Sequence, residues 1–235
     1  VTGVQTCALP ISGLRAAGVT PHYVFRSNDN GAVQGMVRAG IDLDLQREAL
    51  CPRRLGHPHA WLRRRPVVGF AGKDLIRACN ERRILIDLSH ITEKGFWDVA
   101  RLSTAPLVAT HSNAHGLCAS SRNLTDDQLR AIGESGGMVG LNFANGFLRA
   151  DGKWESENGL DTMLRHLDRM MRLAGEDHVG LGSDFDGARI PSQIGDAAGL
   201  PNLVAAMEAH GYGQALMGKL CWDNWVQALE RIWGE

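Results

Sequence analysis

The feature that most limits what this chain can fold into is a run of short apolar segments, each followed by a stretch of helical length. Arg83–His90, Pro106–Ser112, Gly137–Phe143 and His178–Asp184 are short and nearly continuously apolar, and Val19–Phe25 is a fifth such run upstream. Strands buried on both faces read this way, and a strand–helix–strand order implies a parallel pair. The segments between them predict helices over Phe70–Arg82, Glu93–Leu102, Thr125–Ser135 and Gly159–Ala174. Thr125-Asp126-Asp127-Gln128 fits a capping box, while Leu160, Met163, Leu164, Leu167 and Met171 share one helical face, where the methionines serve as core filler. Three more helices are predicted near Asn202–His210, Gly213–Leu220 and Trp222–Trp233.

Neither a fixed-period repeat nor an interdomain linker interrupts this rhythm. A closed (β/α)8 barrel needs eight units. The expected class is therefore α/β: a partial (β/α)8 TIM-type barrel, about the last five βα units, with a C-terminal helical cap. An open doubly wound sheet is the rival architecture. No GxGxxG or Walker loop follows any of the runs, and Gly136-Gly137 precedes one, so it reads as a turn.

The chemistry sits at the ends of the runs. His90 and His111 close two of them and Asp184 closes a third. Parallel strands bring their carboxyl ends to one edge, so two imidazoles and a carboxylate there make a metal-site hypothesis. The plainer reading of each is a core or loop residue. His57 and His59 lie in the Pro- and Arg-rich stretch 51–66 and read as part of a solvated loop. With 25 Lys+Arg against 26 Asp+Glu, the formal charge is −1, so the Arg63–Arg65 run reads as solvated surface and no nucleic-acid partner is expected. The five cysteines form no CxxC pair and are odd in number, which favours a reducing compartment. No apolar run approaches the ~20 residues of a membrane span. A cytoplasmic location is expected, unless an upstream signal peptide has been lost. Val1–Ser12 lacks an initiator Met and resembles a translated sequencing adapter. Residues 1–12 are accordingly set aside as non-native, and 13–235 are read as part of a single domain.

Several strings then fall into a familiar order. They are Asp87-Leu88-Ser89-His90, Thr110-His111-Ser112-Asn113-Ala114, Ser121-Arg122-Asn123-Leu124-Thr125-Asp126-Asp127-Gln128, Asn142-Phe143, Gly180-Leu181-Gly182-Ser183-Asp184-Phe185-Asp186-Gly187 and Asp223-Asn224-Trp225. In this order, over residues 70–235, the chain resembles the membrane (renal) dipeptidase family of zinc peptidases, which have amidohydrolase-type barrels. The resemblance implies that His90 and His111 are ligands of one zinc in a two-zinc centre. It implies that Asp184 takes the proton of the attacking water and that Arg122 binds the carboxylate of a dipeptide. A surface salt bridge is the plainer reading of Arg122, and a turn residue is the preferred one for Asp186. The implied reaction is hydrolysis of dipeptides by metal-activated water attack. A homodimer is compatible with the resemblance.

The departures are equally specific. The family holds its other zinc with a His-x-Asp pair on the first strand and a bridging Glu on the third. No predicted strand of this chain carries such a pair, and nothing before Val19 resembles the Glu. Arg26 replaces a substrate-binding His, and Phe147 stands where some members have Tyr. At most one zinc and impaired activity are therefore expected. The alternatives are another amidohydrolase-type metal-dependent hydrolase of small amides, and a non-catalytic barrel-like binding protein.

Overall fold

The structure is a computed structural model and describes residues 70–154 and 158–234. Val19–Phe25, Arg26, His57, His59, stretch 51–66 and residues 1–12 lie outside the described residues.

Capping and burial place the helices close to where the sequence predicts them. Helix α1 spans Phe70–Glu81 and α2 spans Glu93–Leu102, the latter capped by Thr92, whose side chain accepts from the Gly95 N–H. Helix α3, Asp126–Glu134, begins with the full capping box: Thr125 Oγ1 accepts from Gln128 N, and Gln128 Oε1 accepts from Thr125 N. After the short α4, Asn145–Leu148, comes α5, Leu160–Ala174. It buries Met163, Leu164, Leu167 and Met170, each contributing roughly 1.5–3 kcal/mol on full burial. Arg169 of α5 forks onto the Asp126 carboxylate at the start of α3, at 2.6 and 2.8 Å. That ion pair ties two helices which also share the main apolar cluster.

The strands are β1, Val108–Ala109, β2, Met138–Asn142, and β3, Val179–Ser183. They form one parallel sheet in the order β1-β2-β3, with Val108 opposite Met138 and Val139 opposite Val179. As the middle strand, β2 is buried throughout. The order agrees with parallel crossovers, and the fold is α/β.

The sequence reading overcounts strands. Arg83–His90 forms no regular strand; it touches the sheet through a single parallel bridge, Asp87 to Val108. Arg83 takes a left-handed backbone at φ 55°, which interrupts extended structure at the start of the run. The Asp87 side chain bonds to the Thr110 backbone N–H, so side-chain bonding takes over where the ladder would continue. Among the described residues the sheet therefore has three strands.

At the C-terminal end, α6, Leu200–Ala209, and α7, Gln214–Gly218, are followed by a π-helical turn over Lys219–Asp223 and then α8, Asn224–Trp233. The sequence predicts two separate helices here, and the π turn joins them. Asn224, fully buried, donates its side-chain amide to the carbonyls of Glu176 and Val179 at 2.6 and 2.8 Å. Helix α8 also sets Trp225, Ala228 and Ile232 against Val108 and Met138 as a second, smaller apolar cluster. No described helix is long and apolar enough to cross a membrane.

Candidate metal and catalytic site

The bridge at Asp87 and the register of β1 bring the ends of two chain segments together. His90 and His111 follow those pairings, and their rings meet edge to edge, Nε2 to Nε2 at 2.8 Å, with centroids 4.9 Å apart. Arg122 reaches the same point, with Nη2 3.0 Å from His90 Nε2. A guanidinium can only donate, so His90 Nε2 accepts, and the proton of this neutral ring sits on Nδ1. His90 Nδ1 is buried and has no partner among the described residues.

Electrostatics keep both rings neutral. Burial first, then the positive charge of Arg122 and the His111 ring, push the His90 pKa down to about 3, against a smaller upward pull from Asp87. Burial likewise lowers His111, with Asp87 and Asp184 opposing and Arg122 reinforcing. A neutral imidazole with a free lone pair is the form that binds a metal.

His111 is held from behind. Its backbone N–H donates to Ser89 Oγ at 2.9 Å, and its Nδ1 lies 2.7 Å from Thr110 Oγ1. Asp87 gathers this corner. Its Oδ1 accepts from Ser89 N, Ser89 Oγ and Thr110 N, and its Oδ2 accepts from Thr110 Oγ1 at 2.6 Å.

Asp184 is aimed by strained backbone. Ser183 and Asp184 are both left-handed, at φ 41° and 71°, opposite a register shift between Leu141 and Asn142 of β2. Two consecutive non-glycine residues in that region cost of order 1–3 kcal/mol each, a strain that concentrates at functional sites. Asp184 Oδ2 accepts from Asn142 Nδ2 at 3.0 Å, and the same amide reaches the His111 carbonyl at 3.4 Å. On the other side, a Cβ at Gly187 would overlap Asp184 Oδ1. Only glycine leaves room there for the carboxylate. Asp186 is exposed in the turn that follows, as the plainer reading of it holds.

The Arg122 side chain is part-buried rather than on the surface. The residue turns inward, with its guanidinium carbon 5.2 Å from the centre of the Phe147 ring. Asn113 and Asn123 both donate to the Phe147 carbonyl, at 3.3 and 2.8 Å, and Trp154 packs edge-on against the ring at 4.8 Å. A cleft of about 320 Å³ opens beside Arg122, bordered by Ser89, Glu93, His115 and Gln128, within the size range of small-molecule sites.

The donor chemistry fits a borderline cation such as zinc, which takes tetrahedral nitrogen ligands at about 2.0–2.1 Å and hence about 3.3 Å apart. Two Nε2 atoms at 2.8 Å are close to that spacing. No cluster of three or more His, Cys, Asp or Glu able to hold a metal occurs among the described residues, where His90 and His111 bring together two nitrogen donors. The chain has one His-x-Asp string, His166-Leu167-Asp168, and it supplies no further pair. Both ring nitrogens of the buried His166 are used, on Ala114 N and Leu148 O, while Asp168 faces His210 and Tyr212.

The family model for membrane dipeptidase, peptidase family M19, matches residues 66–233. The chain belongs to this family. A protein of the pqqA 5′ region of Klebsiella pneumoniae is 54% identical over 168 residues, 72% of this chain and 62% of that protein. The crystal structure of dipeptidase AC, a metallo peptidase of family M19, superposes with a TM-score of 0.71 at 61% identity, over 72% of this chain and 50% of that one. A Rhodobacter sphaeroides metallo peptidase, solved with a phosphinate mimic of the dipeptide L-Ala-D-Ala, gives 0.70 at 61% identity, over 71% of this chain and 47% of that one. The chain thus spans about half the length of these solved M19 structures.

Reading the sequence for strand ends picks out His90, His111 and Asp184, and the family resemblance adds Arg122. It misses Asp87, Thr110, Asn113, Asn142 and Gly187 as groups that orient those four. Their signal lay in the strings themselves: Asp87 and Ser89 stand three positions and one position before one histidine, and Thr110 directly precedes the other.

Proposed function

We propose that residues 66–233 carry the second half of a zinc dipeptidase site, set on the later βα units of a barrel whose remaining ligands lie outside the described residues. The observation that carries this reading is the convergence of His90 Nε2, His111 Nε2 and Arg122 on one point, in a chain that belongs to family M19. His90 and His111 would hold one zinc through Nε2. When bound, zinc supplies polarisation of the scissile carbonyl and acidification of water.

The chain's own groups do the rest. Arg122 offers a planar two-pronged donor to the C-terminal carboxylate of a dipeptide, and Phe147 beneath it limits where that fork can lie. Asp184 accepts the proton of the attacking water and returns it to the amine nitrogen as the C–N bond breaks. Asn142 occupies Oδ2, which leaves Oδ1 as the acceptor atom. With half of the family's ligands unaccounted for, this chain by itself binds at most one zinc and is an impaired catalyst.

A chimera tests the reading. Residues 66–233 replace the matching segment of the Rhodobacter sphaeroides relative, and L-Ala-D-Ala hydrolysis is followed with zinc content. The expected result is hydrolysis that Asp184→Asn lowers by roughly 10²–10⁴-fold at unchanged zinc content. A folded chimera that holds zinc and hydrolyses no dipeptide overturns the proposal.

A further inference from the structure

Proton counting around His111 goes one step beyond its place as a ligand. The Thr110 hydroxyl has a single proton and three neighbours that could take it, of which Ser89 Oγ, at 3.3 Å, is the farthest and gives its own proton to Asp87 Oδ1. Asp87 Oδ2 lies at 2.6 Å and His111 Nδ1 at 2.7 Å. The first distance is that of a charge-assisted O–H···O⁻ bond, roughly twice as strong as a neutral one, so the proton goes to Asp87. Thr110 Oγ1 must then accept from His111, which requires a proton on Nδ1. The other contacts of Asp87 leave it no alternative, because Oδ1 already accepts from Ser89 N, Ser89 Oγ and Thr110 N.

His90 reaches the same state by another route, since the Arg122 N–H at 3.0 Å demands a bare Nε2. Two bare Nε2 atoms then face each other at 2.8 Å, with no proton between them to make that contact a hydrogen bond. A cation shared by both lone pairs removes this conflict.

We propose that Asp87, acting through the Thr110 hydroxyl, is a positioning residue that fixes His111 as the Nδ1–H tautomer and turns its bare Nε2 toward His90. The significance of this for metal binding rests on the proposed function, whereas the tautomer assignment does not. Asp87 touches neither zinc nor substrate. It selects which nitrogen of His111 is available, as a carboxylate behind a metal-binding histidine does.

The relay can be reversed by one substitution. In Asp87→Asn the amide oxygen must stay where three donors meet, so the amide NH2 replaces Oδ2. It then donates to Thr110 Oγ1, the hydroxyl proton swings to His111 Nδ1, and the proton of His111 moves to Nε2.

The test is two-bond 1H–15N correlation of the histidine rings in the metal-free, 15N-labelled chain at pH 7.5, followed by Co2+ and Zn2+ titration. Wild type is expected to show His111 protonated on Nδ1, Thr110→Ser to keep that pattern, and Asp87→Asn to show protonation on Nε2. Thr110→Val is expected to lose the pattern. Both Asp87→Asn and Thr110→Val should bind Co2+ and Zn2+ about 10–100-fold more weakly than wild type. A wild-type His111 protonated on Nε2 overturns the proposal, and so does an Asp87→Asn tautomer that does not change. Changed tautomers with unchanged metal affinity overturn the positioning role. If Thr110→Val does not fold, Thr110→Ser and Asp87→Asn still decide. A wild-type chain that binds neither metal counts against the proposed function alone, and the ring spectra still decide the tautomer.

Discussion

His166 should give this chain a pH-dependent stability that one substitution removes. The ring is fully buried on α5. Its Nδ1 accepts from Ala114 N at 3.2 Å, so Nε2 carries the proton and donates to the Leu148 carbonyl at 2.9 Å. Both nitrogens are therefore committed in the neutral form. Burial, reinforced by Arg165 and Arg169 and only partly offset by the bond to Leu148, lowers the pKa from 6.5 to about 4. A histidine lowered on folding takes up its proton more readily in the unfolded chain. Its stabilisation is complete above pH 6.5 and is lost as pH falls from 6.5 toward 4. A shift of that size is worth roughly 3 kcal/mol, of which about 2–3 kcal/mol disappears between pH 7.5 and 4.5. In His166→Asn the amide oxygen can still accept from Ala114 N, while the Leu148 carbonyl loses its donor, costing about 1–3 kcal/mol at pH 7.5. Urea unfolding of wild type and variant across this pH range is the assay. The gap between them should fall by about 2–3 kcal/mol, closing or reversing sign as pH falls, because the variant has no ring to protonate. A gap constant from pH 7.5 to 4.5 would refute the assignment of His166 as a neutral, doubly bonded core histidine.

Other perturbations address the site and its scaffold. In the chimera, Gly187→Ala should displace the Asp184 carboxylate, because the added methyl group meets Oδ1, a movable side-chain atom, rather than backbone. The kcat for dipeptides should fall at least tenfold with the midpoint of unfolding nearly unchanged; wild-type kcat would exclude the packing argument. Arg122→Met should tighten Zn2+ binding several-fold in calorimetric titration, since it removes a donor from His90 Nε2 and a cation that disfavours positive charge on both rings. Weaker binding would show that Arg122 supports the histidines rather than competing for them. Thr125→Val breaks the capping box of α3 and should cost about 0.5–2 kcal/mol in urea unfolding, with Thr125→Ser close to wild type.

Much of the scaffold was legible because its signals are local. Thr125 and Gln128 define a helix start by themselves, and the apolar spacing of α5 fixes its buried face. Strand ends were legible for a related reason: a short apolar run that stops at His111 or Asp184 leaves that side chain at the rim of a sheet. What could not be read is what depends on contacts between segments. Arg83–His90 looks as strand-like as its neighbours, but its pairing is limited to Asp87 with Val108, and no local pattern encodes that. The inward turn of Arg122 follows from Phe147, 25 positions along the chain, and from the asparagines that hold the Phe147 carbonyl. The left-handed pair Ser183-Asp184 has no glycine to announce it.

Those asparagines explain how a rim built from loops can hold the His111 and Asp184 segments at fixed distances. Near the ends of β1 and β2 side chains add to the last backbone bonds, Ser112 N to Gly140 O and Phe143 N to Ser183 O. Asn113 copies a strand partner: its Oδ1 accepts from Asn142 N and its Nδ2 donates to Asn142 O, both at 2.9 Å. Asn142 in turn accepts from Ala144 N, donates to Asp184 and reaches the carbonyl of His111. Asn113 and Asn142 are fully buried, so each broken bond would leave a polar atom with no water to replace its partner, at about 1–3 kcal/mol. A network with such penalties has one low-energy arrangement rather than several. Asp184 and His111 are thus coupled through a single amide. A shift of either is passed to the other through that amide, so the Asp184 carboxylate and the His111 backbone keep one spacing.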